Sequence, residues 1–459
     1  MKLVCSIYIL FFSLFGFSQI DGIWHTSFSI MGMTNKIEMS IRDYPNQTGI
    51  FLTETGKFKD VRMDKVEITD SSLSFSWTKI GLSFKGKYFS NGDSLVGVLS
   101  QMDIKWPANF YRQEQAQIEI KRPQEPKEPF SYSSQEVSIK NGAITLSGTL
   151  TLPNASEFNY PIVVLASGSG PQDRNCEILG HKSFLVIADY LAKNGIGCLR
   201  FDDRGCGKSS GIFQKATLED FASDVKACVD FIARDSRFSD NKIGIIGHSE
   251  GGMHALIAAK KNKQVDFVVE LASVGTSGAE VLIEQQYLVP LKMGKSEEYA
   301  KWNSNLYAGI CLILMDYSIE KSIDPMNDFL REMYQKAPQE YKNQMTEMNF
   351  NMALNQFLNN EWGRQFIAFE TKDYLKKLKV PLLVINGSED IQVPAKSSQA
   401  SFSLYASNKS KEKMKLILAE GLNHLFQHCK TCSVLEYGEL EETFSTDILL
   451  QMTNWINEL

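Results

Sequence analysis

The chain has 459 residues, 43% of them hydrophobic, and a formal net charge of −6. That length buries two or three cores and is too great for one ordinary domain. No Lys/Arg cluster is dense enough to track a phosphate backbone or an anionic bilayer, so nucleic acid is not expected as a partner.

The first residues, MKLVCSIYILFFSLFGFSQ, place one lysine before an apolar run from Leu3 to Phe17 and then the small Ser18. This reads as a signal peptide over 1–18, too short to span a bilayer. An uncleaved anchor is the alternative, because the run is long for a leader. Cys5 lies too early to be the acylated cysteine of a lipoprotein. An exported protein, periplasmic or extracellular, with no membrane span after leader removal is therefore expected.

Residues 19–113 read as an all-β domain. From Gly22 to Arg112, runs such as KIEMSIRDY, SLSFSWTKI and SLVGVLSQ alternate apolar and polar residues, the pattern of antiparallel strands with one wet face. Asn91-Gly92 is a hairpin signal, since both residues tolerate positive φ. A sandwich or open barrel of about seven or eight strands follows; what it does is not legible. Residues 114–134 carry Pro123, Pro126 and Pro129 in a charged run, the composition of an extended, solvated linker.

From 135 to 459 strand and helix patterns alternate. YPIVVLASGS, IGCLRFDDRG, KIGIIGHS, DFVVELASV, VPLLVINGS and MKLILAEG read as buried strands, with SGTLTLP before them. SFLVIADYLAKNG, LEDFASDVKACVDFIARD, GMHALIAAKKN, a segment near Lys396 to Tyr405 and one from about Leu440 to Trp455 read as helices. Continuous apolar strands between helices mean a mostly parallel sheet covered on both faces. The alternation stops at about 275–379, where helical spacing predicts an inserted cap. Tyr287, Met293, Tyr307, Met315, Tyr317, Met348 and Phe350 are expected to form the cap's own core.

After the leader seven cysteines remain, an odd number, so at least one thiol stays free. Cys429 and Cys432 form a CKTC pair. No matching ligands for zinc and no thioredoxin-like setting accompany it, leaving a local disulfide or two idle thiols.

The stretch IGIIGHSEGGMHAL sets Ser249 between Gly247 and Gly251, after an apolar strand and before an Ala-rich helix. A GxSxG in that context reads as a nucleophile elbow, in which a strained turn exposes the serine and the two glycines avoid clashes. A serine hydroxyl needs a base, and the base needs a partner that fixes its tautomer. His424, in the loop after MKLILAE, is the expected base; His428 is expected to face solvent. Asp390, after VPLLVINGSE, is the expected acid, with Glu389 as the alternative. An oxyanion needs two N–H donors, and Glu250 N–H with that of Ser169 or Gly170, in the loop SGSGPQDRN, would supply them. Asp173-Arg174 and Asp203-Arg204 are expected to brace loops, since the GxxxxGK[ST] spacing of a phosphate loop is absent. His248 and Glu250 flank the serine as pocket-lining or packing residues.

Together GSGPQDRN, GHKSF, RFDDRGCGKSSG, IGHSEGG, VINGSEDIQVP and GLNHLFQ resemble the bacterial exported α/β-hydrolase esterases of the dienelactone-hydrolase-like and serine-aminopeptidase-like branch, from about Ser133 to Leu459. The resemblance implies an α/β-hydrolase fold with an inserted helical cap, preceded by a small all-β domain. It also implies hydrolysis of small-molecule acyl esters by Ser249, His424 and Asp390, without metal or cofactor. The HGGG loop of lipases is replaced by GSGP, which argues against lipase-like substrates. An aminopeptidase or amidase would use the same triad, with Glu250 or a cap acid holding a free amine. A binding protein on a dead hydrolase scaffold is a third reading, opposed by the intact Ser, Asp, His order. Oligomeric state is not legible.

Overall fold

The computed structural model describes residues 20–459 apart from 31–32, 43–47, 55–57, 70, 89–93, 102–103, 113–120, 155–158, 343–346, 348–349, 352–353 and 355–359. The leader, the Asn91-Gly92 turn and Met348 thus lie outside the described residues. The chain divides into two compact units, the divide falling between 118 and 119.

The first unit is one sheet of nine strands: β1 (Gly22–Ile30), β2 (Met33–Arg42), β3 (Gly49–Glu54), β4 (Phe58–Arg62), β5 (Lys65–Ile68), β6 (Ser72–Trp77), β7 (Leu82–Tyr88), β8 (Ser94–Gln101) and β9 (Ile104–Tyr111). Their order is β4-β3-β2-β1-β9-β8-β7-β6-β5, so the chain meanders to one edge, crosses to the other and meanders back until β9 pairs with β1. Nine strands replace the expected seven or eight for two reasons. The run VRMDKVEITD breaks between β4 and β5, and Pro107 interrupts the alternation of β9. One face is buried, with Met39, Leu52, Phe75, Phe84 and Phe110 at its centre, each contributing about 2 kcal/mol by leaving water. Gly86 and Gly97 face each other across β7 and β8. A Cβ at either would lie 2.6 or 2.5 Å from the Phe84 ring, so the glycine pair makes the room that ring fills.

In the second unit, β10 (Ser133–Asn141), β11 (Ile144–Leu152), β12 (Ile162–Ala166), a short hairpin of β13 (Glu177–Ile178) and β14 (His181–Lys182), β15 (Gly197–Phe201), β16 (Ile243–His248), β17 (Phe267–Leu271), β18 (Leu382–Gly387) and β19 (Lys415–Ala419) follow in sequence. Eight of them form a sheet in the order β10-β11-β15-β12-β16-β17-β18-β19, antiparallel at β10, β11 and β15 and parallel from there on. Edge strand β10 buries little, which hides it from an apolar-run reading. The central strands are buried on both faces. Ile162 and Val164 pack toward α2 (Leu218–Ala233) and α3 (Glu250–Lys261), while Val163 and Leu165 pack with α1 (Ser183–Lys193) and the terminal helix Thr446–Asn457. A Thr217/Asp220 capping box starts α2, worth about 1 kcal/mol. Gly195, at φ 82°, ends the turn after α1.

The second half of the stretch read as a solvated connector is a docked strap. Arg122 donates to the carbonyls of Leu179, Gly180, Gly438 and Leu440. Gln124 accepts from Thr443 N and Phe444 N and donates to Phe444 O, and Lys182 pairs with Glu125 at 3.0 Å. Those bonds hold the backbone near 438–444 out of the terminal helix, which begins at Thr446 and not near Leu440.

Between β17 and β18 the cap contributes α4 (Gly278–Lys292), α5 (Glu297–Asp316) and α6 (Ile323–Gln335), then shorter helices that include Glu361–Ala368. Its core is Trp302, Leu306, Ile310, Met326, Leu330 and Phe350, with Tyr307 packed against it. Tyr287 and Met293 are half-buried. Met315 and Tyr317 correct the expectation: they are 51% and 44% exposed, Met315 on the last turn of α5 and Tyr317 at the extended residue that follows it. Among the described residues no helix is long and apolar enough to cross a membrane.

Candidate active site

Strand β16 delivers Ser249 to the carboxyl end of the sheet. Its φ of 57° and ψ of −123° lie where L-residues are strained, and its N–H is fixed by Leu271 O at 2.9 Å. The flanking glycines are steric requirements. A Cβ at Gly247 would lie 2.4 Å from Gly251 O, and one at Gly251 would lie 2.1 Å from Ala166 O. Gly252, which the sequence pattern does not flag, is equally constrained, its Cβ position being 1.9 Å from Glu270 Oε2.

His424 and Asp390 are 34 residues apart and both buried, with His424 Nδ1 2.7 Å from Asp390 Oδ2. The other carboxylate oxygen accepts from Gln392 N at 2.8 Å and Val393 N at 2.9 Å, which fixes the plane of the acid. Glu389 instead turns outward to Lys292 of α4. Gly387 lets the two loops meet: a Cβ there would be 2.2 Å from Leu422 O. The histidine loop is locked by Asn423, whose Oδ1 accepts from Leu425 N and Gln427 N. His248 donates through Nε2 to His424 O at 3.0 Å. Burial, with His424 beside it, lowers its pKa to about 4, so it is a neutral brace. His428 is exposed and bonded to Glu442.

The loop after β12 runs against the elbow. A Cβ at Gly168 would meet Ser249 Cβ and His248 O at 3.1 Å, a tight contact that would push the loop or the elbow by a few tenths of an ångström. Asp203 holds this loop, accepting from Ser167 Oγ at 2.6 Å and Gln172 N at 3.0 Å. Burial raises its pKa to about 7, against those hydrogen bonds. Arg174 bridges Asp202 and Glu136, and Arg204 bridges Asp220 and Asp224. Both arginines of the Asp-Arg pairs thus tie loops at the sheet edge. Asp173 accepts from Asn175 N and Glu177 N within its own turn.

Ser249, His424, Gly168 and Ser169 line one cavity of about 420 Å³, whereas Gly170 is not among its lining residues. Ile178, Leu179, Leu425 and Val434 contribute apolar wall from the sheet side, and Leu282, Trp362 and Phe366 from the cap. Gln172, Gln285, Gln392 and Tyr437 add neutral polar groups, and no Asp, Glu, Lys or Arg lines it among the described residues. The three cap residues carry no sequence signal, since each is an ordinary apolar position in a helical pattern.

Glu250 is not among the residues that line this cavity. Its carboxylate is 2% exposed and accepts from Ser169 Oγ at 2.5 Å and Trp362 Nε1 at 2.8 Å, with His254 Nε2 at 3.2 Å. Burial pushes its pKa up, but the His254, Ser169 and Trp362 contacts outweigh that and leave it lowered. Cys429 and Cys432 are joined in a disulfide; Cys176, Cys198, Cys206, Cys228 and Cys311 are free thiols.

Residues 180–428 match the family model described as Serine aminopeptidase, S33. Esterase EstD of Thermotoga maritima is 26% identical over 304 residues, spanning 65% of this chain and 61% of that protein. Human mitochondrial palmitoyl-protein thioesterase ABHD10 is 31% identical over 117 residues, 25% of this chain and 34% of that protein. The chain thus spans less than two thirds of these relatives' own length. A Pyrococcus furiosus esterase structure aligns with a TM-score of 0.43 at 17% identity, covering 72% of this chain and 92% of that one.

Proposed function

The chain belongs to the serine aminopeptidase S33 family of α/β-hydrolases, and from that premise we propose that it is a serine esterase for uncharged esters of short to medium acyl chain. Ser249 Oγ attacks the ester carbonyl while His424 takes its proton. Asp390 holds the imidazole tautomer through Nδ1–H, and the Glu250 and Ser169 N–H groups receive the oxyanion. Collapse expels the alcohol, protonated by His424, and water then cleaves the acyl-enzyme.

The observation that carries this reading is the buried 2.7 Å contact of Asp390 with His424 beside a cavity that also receives the strained Ser249. The family's name raises the aminopeptidase reading. A free α-amine needs a carboxylate facing the cavity; none lines it among the described residues, and Glu250 is fully engaged. Export belongs to the same proposal. It rests on the leader pattern of residues 1–18 and is in keeping with the Cys429–Cys432 disulfide, which an oxidising compartment would preserve.

The test is turnover of a chain-length series of chromogenic acyl esters and of amino-acid anilides, by the native protein, Ser249→Ala and Asp390→Asn. Ester turnover should fall about 10⁴-fold or more in each variant. Turnover that survives Ser249→Ala, or anilides preferred to esters, would overturn the assignment.

A further inference from the structure

The residue after the nucleophile, Glu250, is assigned a backbone role in the mechanism proposed above, which does not use its side chain. That side chain is a carboxylate buried at the junction of three separate pieces of the unit. It belongs to the first turn of α3 and takes the hydroxyl of Ser169 from the loop after β12 and the indole N–H of Trp362 from the cap helix Glu361–Ala368. His254, one turn further along α3, completes its shell. Both Ser169 and Trp362 also line the cavity.

A charge this deeply buried is costly unless paired and hydrogen-bonded. Each donor it holds therefore answers to the same group, and loss of one leaves the carboxylate short for the other. We propose that Glu250 is a positioning residue that couples the seating of the cap, through Trp362, to the setting of the oxyanion loop, through Ser169. With the cap seated, the Trp362 N–H fixes the carboxylate. The carboxylate then fixes Ser169, whose backbone N–H is one of the two oxyanion donors. With the cap displaced, the carboxylate is free to turn and the donor loses its aim. The cavity is thereby catalytically complete only when its roof is in place. This inference rests on the esterase reading.

The test is a double-mutant cycle in the full chain on one short ester, with Trp362→Phe, which keeps an aromatic wall, and Ser169→Ala, which keeps the backbone N–H. Each alone should lower kcat about 10-fold with KM changed about 2-fold or less, as for an interaction that matters in the transition state. The double variant should sit within about 2-fold of the worse single variant, because both act through one carboxylate. In a Glu250→Gln background, itself reduced in kcat, the two substitutions should cost about 2-fold or less. Independent losses, about 100-fold in the double variant, would overturn the proposal, as would effects confined to KM or single variants with unchanged kcat. A melting temperature for every protein separates misfolding from misplacement, and a variant that does not fold is replaced in the cycle by Trp362→Tyr or Ser169→Gly. If Ser249→Ala leaves turnover intact, the esterase reading fails. If Ser249→Ala is inactive and the cycle is additive, only the coupling fails.

Discussion

An added methyl at Gly251 would lie 2.1 Å from the carbonyl oxygen of Ala166, whereas Phe366, on the cap side of the same cavity, is a half-buried ring packed against Trp362 at 5.5 Å. The elbow is defined by backbone atoms that have nowhere to go. The cap wall is defined by side-chain volume that a neighbour of similar size could replace. Chemistry that needs fixed angles is thus written in glycines and a positive φ, while the shape that selects a substrate is written in interchangeable apolar positions.

The sharpest way to break this comparison is Gly251→Ala. A methyl forced into backbone should cost more than about 3 kcal/mol, lowering the urea midpoint and abolishing turnover together. A variant of native stability and activity would mean that the elbow can relax.

A second test reaches beneath the elbow. Glu270 on β17 is fully buried beside Ser273, and burial raises its pKa to about 7. Its carboxyl therefore holds a proton in the folded state that the unfolded chain has released. Stability from this group is intact below about pH 4.5 and is lost as pH rises to about 7. Glu270→Gln removes the penalty, so it should gain about 2 to 3 kcal/mol on the native protein between pH 5 and pH 8 in urea unfolding. An equal difference at both pH values would show the carboxyl to be solvated.

The smallest effect is expected at the cap. Phe366→Ala should leave turnover of the shortest ester near native and raise the long-to-short ratio of kcat/KM about 10-fold, as one enlarged apolar pocket allows. An unchanged chain-length profile would move selectivity away from the cap.

The same contrast explains what could be read from the sequence. Gly247, Ser249 and Gly251 announce themselves because a strained turn tolerates few residue types, and the strands on either side of them are continuous apolar runs. Asp390 and His424 could be singled out by chain order, since each follows a strand whose end the topology brings to the serine. Trp362 and Phe366 could not, because a helical spacing says which residues share a face and nothing about what that face meets. The carboxylate of Glu250 was legible only as a charge next to the nucleophile; its partners come from positions 81 and 112 residues away. In the β-rich unit the alternation marked most strands, but β9 was hidden by Pro107 and the corner between β4 and β5 looked like one run.

The strap formed by Arg122 and Gln124 sets where this protein can be cut and rejoined. A seam at Ser133, where the sheet of the second unit begins, would strip the hydrogen bonds that hold Leu179 and the backbone following Tyr437, two walls of the cavity. A seam upstream of Arg122 would leave them whole. Recombination, whether in a lineage or at the bench, therefore keeps those wall-supporting bonds only where the graft carries those dozen residues along with the second unit.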